Sequence, residues 1–431
     1  MNFFAPTLYR ATIFNPLTLD NGEYFPDGCL VVEKDGTISF CGKTEQAHQK
    51  FPDSNIVDLR PHIIIPGLVD THTHLPQYYS AGTGHGTLLS WLNNSIFPLE
   101  ERFINESFAE SCARDFFTNA LACGTTAMAV YSSSFYSATN LAFQQAEKAG
   151  IKVWMGKAMM DMNAPVQLMQ SADTNIRLSL SLASSWHGKN NGQLNYLLTP
   201  RYAGSCSAEL LTATSTVAIS EGLAIQTHLA ENKDEISFVQ SHHPTALDYT
   251  DIYNSHNLLT NKTILAHSIY LSPKEIHVVK EHNCGIAHCP NSNRFLQSGI
   301  MPLDNYTKQG LKIGLGSDIA AGYSLSILNE AREAIEQSKT LKMFSTEQYD
   351  VMNVGEVFYL ATLGGAHVLN AQNKIGNFSY GKDADFVVID SSQIISPYMT
   401  LEQPEKILSK VIYTSPTVRS TFIRGKSMFN A

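Results

Sequence analysis

The chain has 431 residues, 43% hydrophobic and 16% charged, with a formal net charge of −9. That composition suits a soluble globular protein with a large core, and the acidic balance argues against a nucleic-acid polyanion as partner. No apolar run reaches the roughly 20 residues that span a bilayer, and the opening MNFFAPTLYRATIFNP lacks a signal-peptide pattern, so no membrane partner is expected.

Both ends read as β-rich. Tyr9–Phe14 and Cys29–Phe40 near the start, and Asp385–Asp390 and Ser420–Lys426 near the end, are β-branched stretches broken by turn residues. They predict a small β-sandwich domain built from both chain ends, residues 1–65 and 375–431. Between them, short apolar runs recur at Ile63–Asp70, Thr125–Tyr131, Val153–Met160, Leu194–Thr199, Leu223–His228, Thr263–His267, Cys284–His288 and Leu311–Gly316. Most are separated by helix-compatible stretches such as Phe108–Ala122, Ala138–Lys148, Ser207–Ser220 and Pro273–Glu281. A further helix begins at Ile327, with Leu328, Ala331, Ala334 and Ile335 on one face. Eight strands alternating with helices predict an α/β fold, a (β/α)8 TIM barrel over residues 66–374. The longest expected loop, Pro76–Leu88, is rich in glycine and follows the first barrel strand.

The seven cysteines, at positions 29, 41, 112, 123, 206, 284 and 289, form no CxxC pair. Reduced thiols in a cytoplasmic protein are the simplest expectation.

Fifteen histidines are present, and several stand where barrel chemistry needs them. His72 and His74 end the first strand, and an i, i+2 pair on a strand faces one side. His228 ends the fifth strand, His267 the sixth, and Asp318 follows the eighth. Active sites of barrels are assembled from these C-terminal strand ends. A lone HxH arises easily by chance, and single strand-end histidines are more often satisfied core residues. Five potential ligands around one mouth reverse that balance and point to a metal. Imidazoles with one carboxylate suit Zn2+ with an open position, although iron or manganese fits the same donors. Such a site brings the pKa of bound water from about 15.7 towards about 7.

Other residues are ambiguous. His288, ending the seventh strand, reads equally as a support for the cluster or as a core residue. His242 and His243 suit a solvated loop. His85, in the Gly-rich loop, would line the pocket if that loop closes, but a surface position explains it better. Glu231 follows His228 by three residues, an offset that suits a general acid/base beside a metal-bound water. A surface glutamate opening a helix is the bland alternative, shared with Asp234 and Glu235.

At Pro66-Gly-Leu-Val-Asp-Thr-His-Thr-His-Leu-Pro-Gln the chain resembles the guanine deaminases of the amidohydrolase superfamily. Further matches are Leu88-Leu-Ser-Trp-Leu with Phe97-Pro, Trp186-His-Gly-Lys, Leu198-Thr-Pro-Arg-Tyr, His228-Leu-Ala-Glu-Asn, His288-Cys-Pro-Asn-Ser-Asn and Gly314-Leu-Gly-Ser-Asp. The resemblance runs from about Pro66 to Asp390. It implies one zinc per subunit on His72, His74, His228 and Asp318, with Glu231 shuttling protons. It also implies that His267 orients the attacking hydroxide and that Asp318 accepts its proton. Gln77 and Arg201 would grip the purine, with Tyr202 and His228 beside it, and a homodimer is implied. Tyr202 stands where many such relatives carry Phe. Lys157, the only tempting candidate for a bridging carboxylated lysine, lies on the third strand, where that residue is not expected.

The chemistry also favours guanine, because a guanidinium pairs with its O6 and N7 acceptors. Adenine would set an amine against Arg201 and leave buried polarity unpaired. Water attack at C2 would then release the 2-amino group, giving xanthine and ammonia. The alternatives are another aminated heterocycle (modified guanine, pterin, cytosine or triazine) or a non-catalytic scaffold. The HxE…PCxxC signature of the unrelated zinc deaminases is absent.

Overall fold

The computed structural model describes residues 5–84, 86–395 and 401–431. The strands, in chain order, are β1 (Thr7–Thr18), β2 (Asn21–Val32), β3 (Ile38–Lys43), β4 (Asn55–Pro66) and β5 (Leu68–His74). They continue as β6 (Thr125–Ser132), β7 (Lys152–Met159), β8 (Leu194–Pro200), β9 (Ala224–Leu229) and β10 (Thr263–His267). The last five are β11 (Gly285–His288), β12 (Lys312–Leu315), β13 (Phe386–Ile389), β14 (Val418–Ile423) and β15 (Lys426–Asn430). Strands β5 to β12 form one eight-stranded sheet in sequential order, parallel throughout, and helices such as Glu106–Ala122, Tyr136–Ala149, Ala208–Glu221 and Pro273–Glu281 lie between them in sequence. This is the expected (β/α)8 barrel.

The remaining seven strands form a second sheet, in the order β15-β14-β13-β4-β1-β2-β3, which draws on both chain ends. Three spacings of about 4.8 Å would hold β1 and β14 about 14 Å apart in a flat sheet. The Tyr9 ring of β1 nevertheless lies 5.6 Å from that of Phe422 in β14, and 4.9 Å from Phe386. The sheet therefore curls over its own apolar face, enclosing Ile13, Leu30, Ile64 and Val388, and so supplies the sandwich-like body from a single sheet.

One boundary differs from the sequence reading. The apolar run Ile63–Asp70 is not one strand. Ile63–Pro66 ends β4 in the curled sheet, paired with β1 and β13, and the barrel strand starts at Leu68. Gly67 makes the handover. Its amide donates to Asp385 O (2.9 Å), and any β-carbon there would run into the Thr126 side chain. Uniform hydrophobicity hides such a change of sheet, because both halves are buried.

The barrel seam between β12 and β5 closes around glycines. Thr71 Oγ1 donates to Leu315 O (2.8 Å), Asp318 N to His72 O (2.9 Å), and His74 N to Ile319 O (3.1 Å). A β-carbon on Gly316 would sit 2.9 Å from both Cys289 Sγ and His72 Cβ, and 3.0 Å from His72 O. The Gly316→Ala variant is therefore expected to lose roughly 1–3 kcal/mol by overpacking, read as a lower thermal midpoint; an unchanged midpoint would show that the seam has slack.

Candidate metal centre and substrate cavity

The C-terminal ends of β5, β9, β10 and β12 bring His72, His74, His228, His267 and Asp318 into one buried cluster. His72 Nε2 lies 3.2 Å and His74 Nε2 3.4 Å from Asp318 Oδ1, and His267 Nε2 lies 3.7 Å from Asp318 Oδ2. His74 Nε2 and His228 Nε2 face each other at 3.2 Å. The donor atoms of His72, His74 and His228, and those of His72, His267 and Asp318, form two overlapping sets, each within 4.8 Å.

The outer nitrogens settle which way the inner ones face. His72 Nδ1 is 3.2 Å from Gln226 Oε1, His228 Nδ1 is 2.6 Å from Arg201 O, and His267 Nδ1 is 2.9 Å from Asn293 Oδ1. Each oxygen can only accept, so each Nδ1 carries the proton and each Nε2 turns a lone pair inward. His72 Nε2 makes no hydrogen bond at all despite complete burial. Burial, reinforced by the neighbouring imidazoles, holds His74 and His228 well below the ordinary histidine value, and burial draws His267 down to about 4. Burial alone would raise Asp318, but its contacts with His72 and His267 hold it below its ordinary value. Neutral imidazole lone pairs around an ionised carboxylate are the donor set a divalent metal requires.

The backbone bends sharply to deliver these groups. Ala230, His267, Ser268 and Asp318 all adopt positive φ, between 45° and 66°. Such conformations cost of order 1–3 kcal/mol each and persist where surroundings over-determine them. Here adjacent strand ends do so: Ser268 N donates to Leu229 O (2.8 Å), and Ile269 N to Ala230 O (3.1 Å).

Glu231 is separated from its acidic neighbours by position. Asp234 is exposed, whereas Glu235 is buried and serves the helix Lys233–His242 as the return arm of a capping box on Asn232. Glu235 also accepts from Tyr249 OH (2.5 Å). Glu231 is 3% exposed, accepts from Ser298 Oγ at Oε1 (3.2 Å), and turns Oε2 towards His267 Nε2 (3.5 Å). Burial, with Asp318 and Glu235 close by, holds its carboxyl well above the usual carboxylate range.

Beside the cluster, a cavity is lined by Gln77, Arg201, Tyr202, Trp91, Leu92 and Leu296 among others, with His74, His228, Glu231, His267 and Asp318 forming its floor. Arg201 is buried, and its Nη1 donates to Glu100 Oε2 (2.6 Å). Gln77 Nε2 donates to Glu100 Oε1 (3.0 Å), and Gln77 Oε1 accepts from Ala320 N (3.2 Å).

Every site residue expected from the sequence thus lies in this cluster or lines its cavity. Glu100, Gln226 and Asn293 were not expected. The available signal for Glu100 was the rule that a buried arginine needs a carboxylate partner. His288 is buried, with Nδ1 unpartnered and burial drawing it to about 3, and it does not line the cavity. His242 is exposed, while His243 bonds Ala203 O (2.9 Å). Lys157 is buried and donates to Asn175 Oδ1 (2.8 Å) and Ala158 O (3.2 Å), and His85 lies outside the described residues.

A parallel barrel with histidine and aspartate donors at its C-terminal mouth defines a metal-dependent hydrolase class. The amidohydrolase family model matches residues 63–428, and the chain belongs to that family. Guanine deaminase from Dictyostelium discoideum is 33% identical over 98% of both chains. That from Escherichia coli (strain K12) is 35% identical over 97% of this chain and 95% of its own. The crystal structure of guanine deaminase from C. acetobutylicum, with guanine bound in the active site, superposes with a TM-score of 0.93. It is 32% identical, covering 98% of this chain and all of that one.

Gln226→Leu should weaken metal binding roughly 10–100-fold by releasing His72 from its orientation, measured by competition with a chelator. His72→Ala and His228→Ala should hold no metal after gel filtration. Full occupancy in either would remove that residue from the ligand set.

Proposed function

We propose that the chain hydrolyses guanine to xanthine and ammonia. The observation that carries this reading is the pairing, across one cavity, of the Arg201–Gln77 end with the histidine–aspartate floor and Glu231. The full-length guanine deaminase relatives, and the guanine-bound neighbour, support the same substrate.

In this reading His72, His74, His228 and Asp318 would hold one zinc ion per subunit, which would supply a water acidified to a pKa of about 7. Arg201 donates to the guanine O6 and N7 side, and Gln77 meets the same edge. Tyr202 packs beside the ring. This orientation turns C2 and its amino group towards the floor. Glu231, pinned at Oε1 by Ser298, uses Oε2 to take the attacking water's proton, pass it to the ring nitrogen, and then serve the leaving amine. His267, its Nδ1 fixed by Asn293, aims Nε2 at the attacking oxygen, and Asp318 accepts that oxygen's remaining proton, which passes through Glu231 to the leaving amine. The two-part division, with its first boundary moved to Gly67 and its second kept at residues 374/375, a cytoplasmic setting and a homodimer belong to the same proposal. Seven free cysteines support the setting, and the family resemblance supports the dimer.

Purified, zinc-loaded protein should release ammonia from guanine and not from adenine or cytosine. Ammonia from another heterocycle alone would keep the hydrolase and overturn the substrate. The Glu231→Gln variant should retain its metal and lose about 100-fold or more in kcat; near-normal turnover would end its assigned role. Arg201→Met should raise the guanine KM far more than it lowers the thermal midpoint.

A further inference from the structure

Glu100 does not line the cavity, yet it touches both residues of the recognition end. It projects from the short helix Phe97–Glu101 and is 4% exposed. One oxygen takes Arg201 Nη1 and the other takes Gln77 Nε2, so a single carboxylate holds the guanidinium and the amide in a common frame. The Phe97 ring, 5.3 Å from the guanidinium carbon, packs against the same group. Burial works against the Arg201 charge, and Glu100 outweighs it, holding the guanidinium above its ordinary value.

We propose that Glu100 is a positioning residue that also sets the charge of the recognition end, so that the site takes a neutral lactam heterocycle and lets an acidic product go. This rests on the guanine reading above. Hydrolysis exchanges the 2-amino group for a second carbonyl beside a ring N–H, creating an imide. Xanthine is therefore the stronger acid of the pair and the more readily an anion. An unbalanced buried guanidinium would attract that anion strongly, because charge attraction is little screened away from water. With Glu100 in place, Arg201 offers hydrogen bonds without net charge. Its Nη1 is committed to the carboxylate, which leaves its other donors for the purine edge. The same frame orders Gln77, whose Oε1 is held by Ala320 N and whose Nε2 is held by Glu100. Recognition is thereby preorganised before the substrate arrives, which lowers the ordering cost of binding.

The test compares wild type with Glu100→Gln and Glu100→Asp in zinc-loaded protein, on the alkaline side of neutrality, where part of the xanthine is anionic. The guanine KM, kcat and the xanthine inhibition constant are measured for each. In Glu100→Gln the ratio of the xanthine inhibition constant to the guanine KM should fall roughly tenfold or more, since truncating one partner of a buried charge pair has an effect of at least that size. Glu100→Asp keeps the charge on a shorter stem, so the guanine KM should rise while the ratio stays near that of wild type. A guanine KM and a xanthine constant that rise in proportion in Glu100→Gln would overturn the proposal, leaving Glu100 a structural residue. If Glu100→Gln does not fold, an altered ratio in Glu100→Asp would overturn it equally. Failure of the wild type to turn over guanine would instead overturn the parent reading, a result distinct from either.

Discussion

The site depends on a set of outward-facing hydrogen bonds that are easily overlooked beside the metal donors. Gln226, the backbone oxygen of Arg201 and Asn293 each hold one imidazole by its Nδ1. Were any of these oxygens absent, the ring could turn or change tautomer, and its Nε2 would present a proton where a lone pair is needed. Three lone pairs forced together in a dry floor, facing one carboxylate, are electrostatically unfavourable alone and favourable around a cation. The strained backbone at Ala230, His267, Ser268 and Asp318 is the other side of the same arrangement. The barrel's packed strand ends hold those turns where isolated loops would relax them.

Arg201 joins the two halves of the site. Its carbonyl steadies His228 at the floor, while its side chain reaches Glu100 at the opposite end. The placement of His228 relative to Glu100 is therefore tied to one residue, which directly follows β8. A displacement of Arg201 would disturb the His228 ring and the Glu100–Gln77 frame together. That coupling suits a reaction in which the attacked carbon must lie over the activated water within a fraction of an ångström.

The curled sheet takes no part in the chemistry but bears on it. Its strand β4 leads through Gly67 directly into β5, the strand that carries His72 and His74. Lys152 of β7, buried against Asp385 (2.7 Å) and Asp383 (3.2 Å), ties the barrel to the segment leading into β13. The strand that carries His72 and His74 is thus anchored at its start by a second body.

The sequence by itself determined the barrel, the strand-end donors His72, His74, His228, His267 and Asp318, and the cavity residues Gln77, Arg201 and Tyr202. Those features are local: a strand's apolar period and the residue at its end are written within a few positions, and the motif around each is short. The offset from His228 and the motif around it singled out Glu231; tertiary structure added that Asp234 is exposed and that the Glu235 carboxylate is taken up by the cap on Asn232 and by Tyr249. It also decided that Ile63–Asp70 is shared between two sheets, and that Glu100 meets Arg201 from 101 residues away. The supporting contacts of Gln226 and Asn293 are likewise long-range. A hydrogen bond across strands leaves no period in the chain, and only the closing of the barrel brings its two ends together.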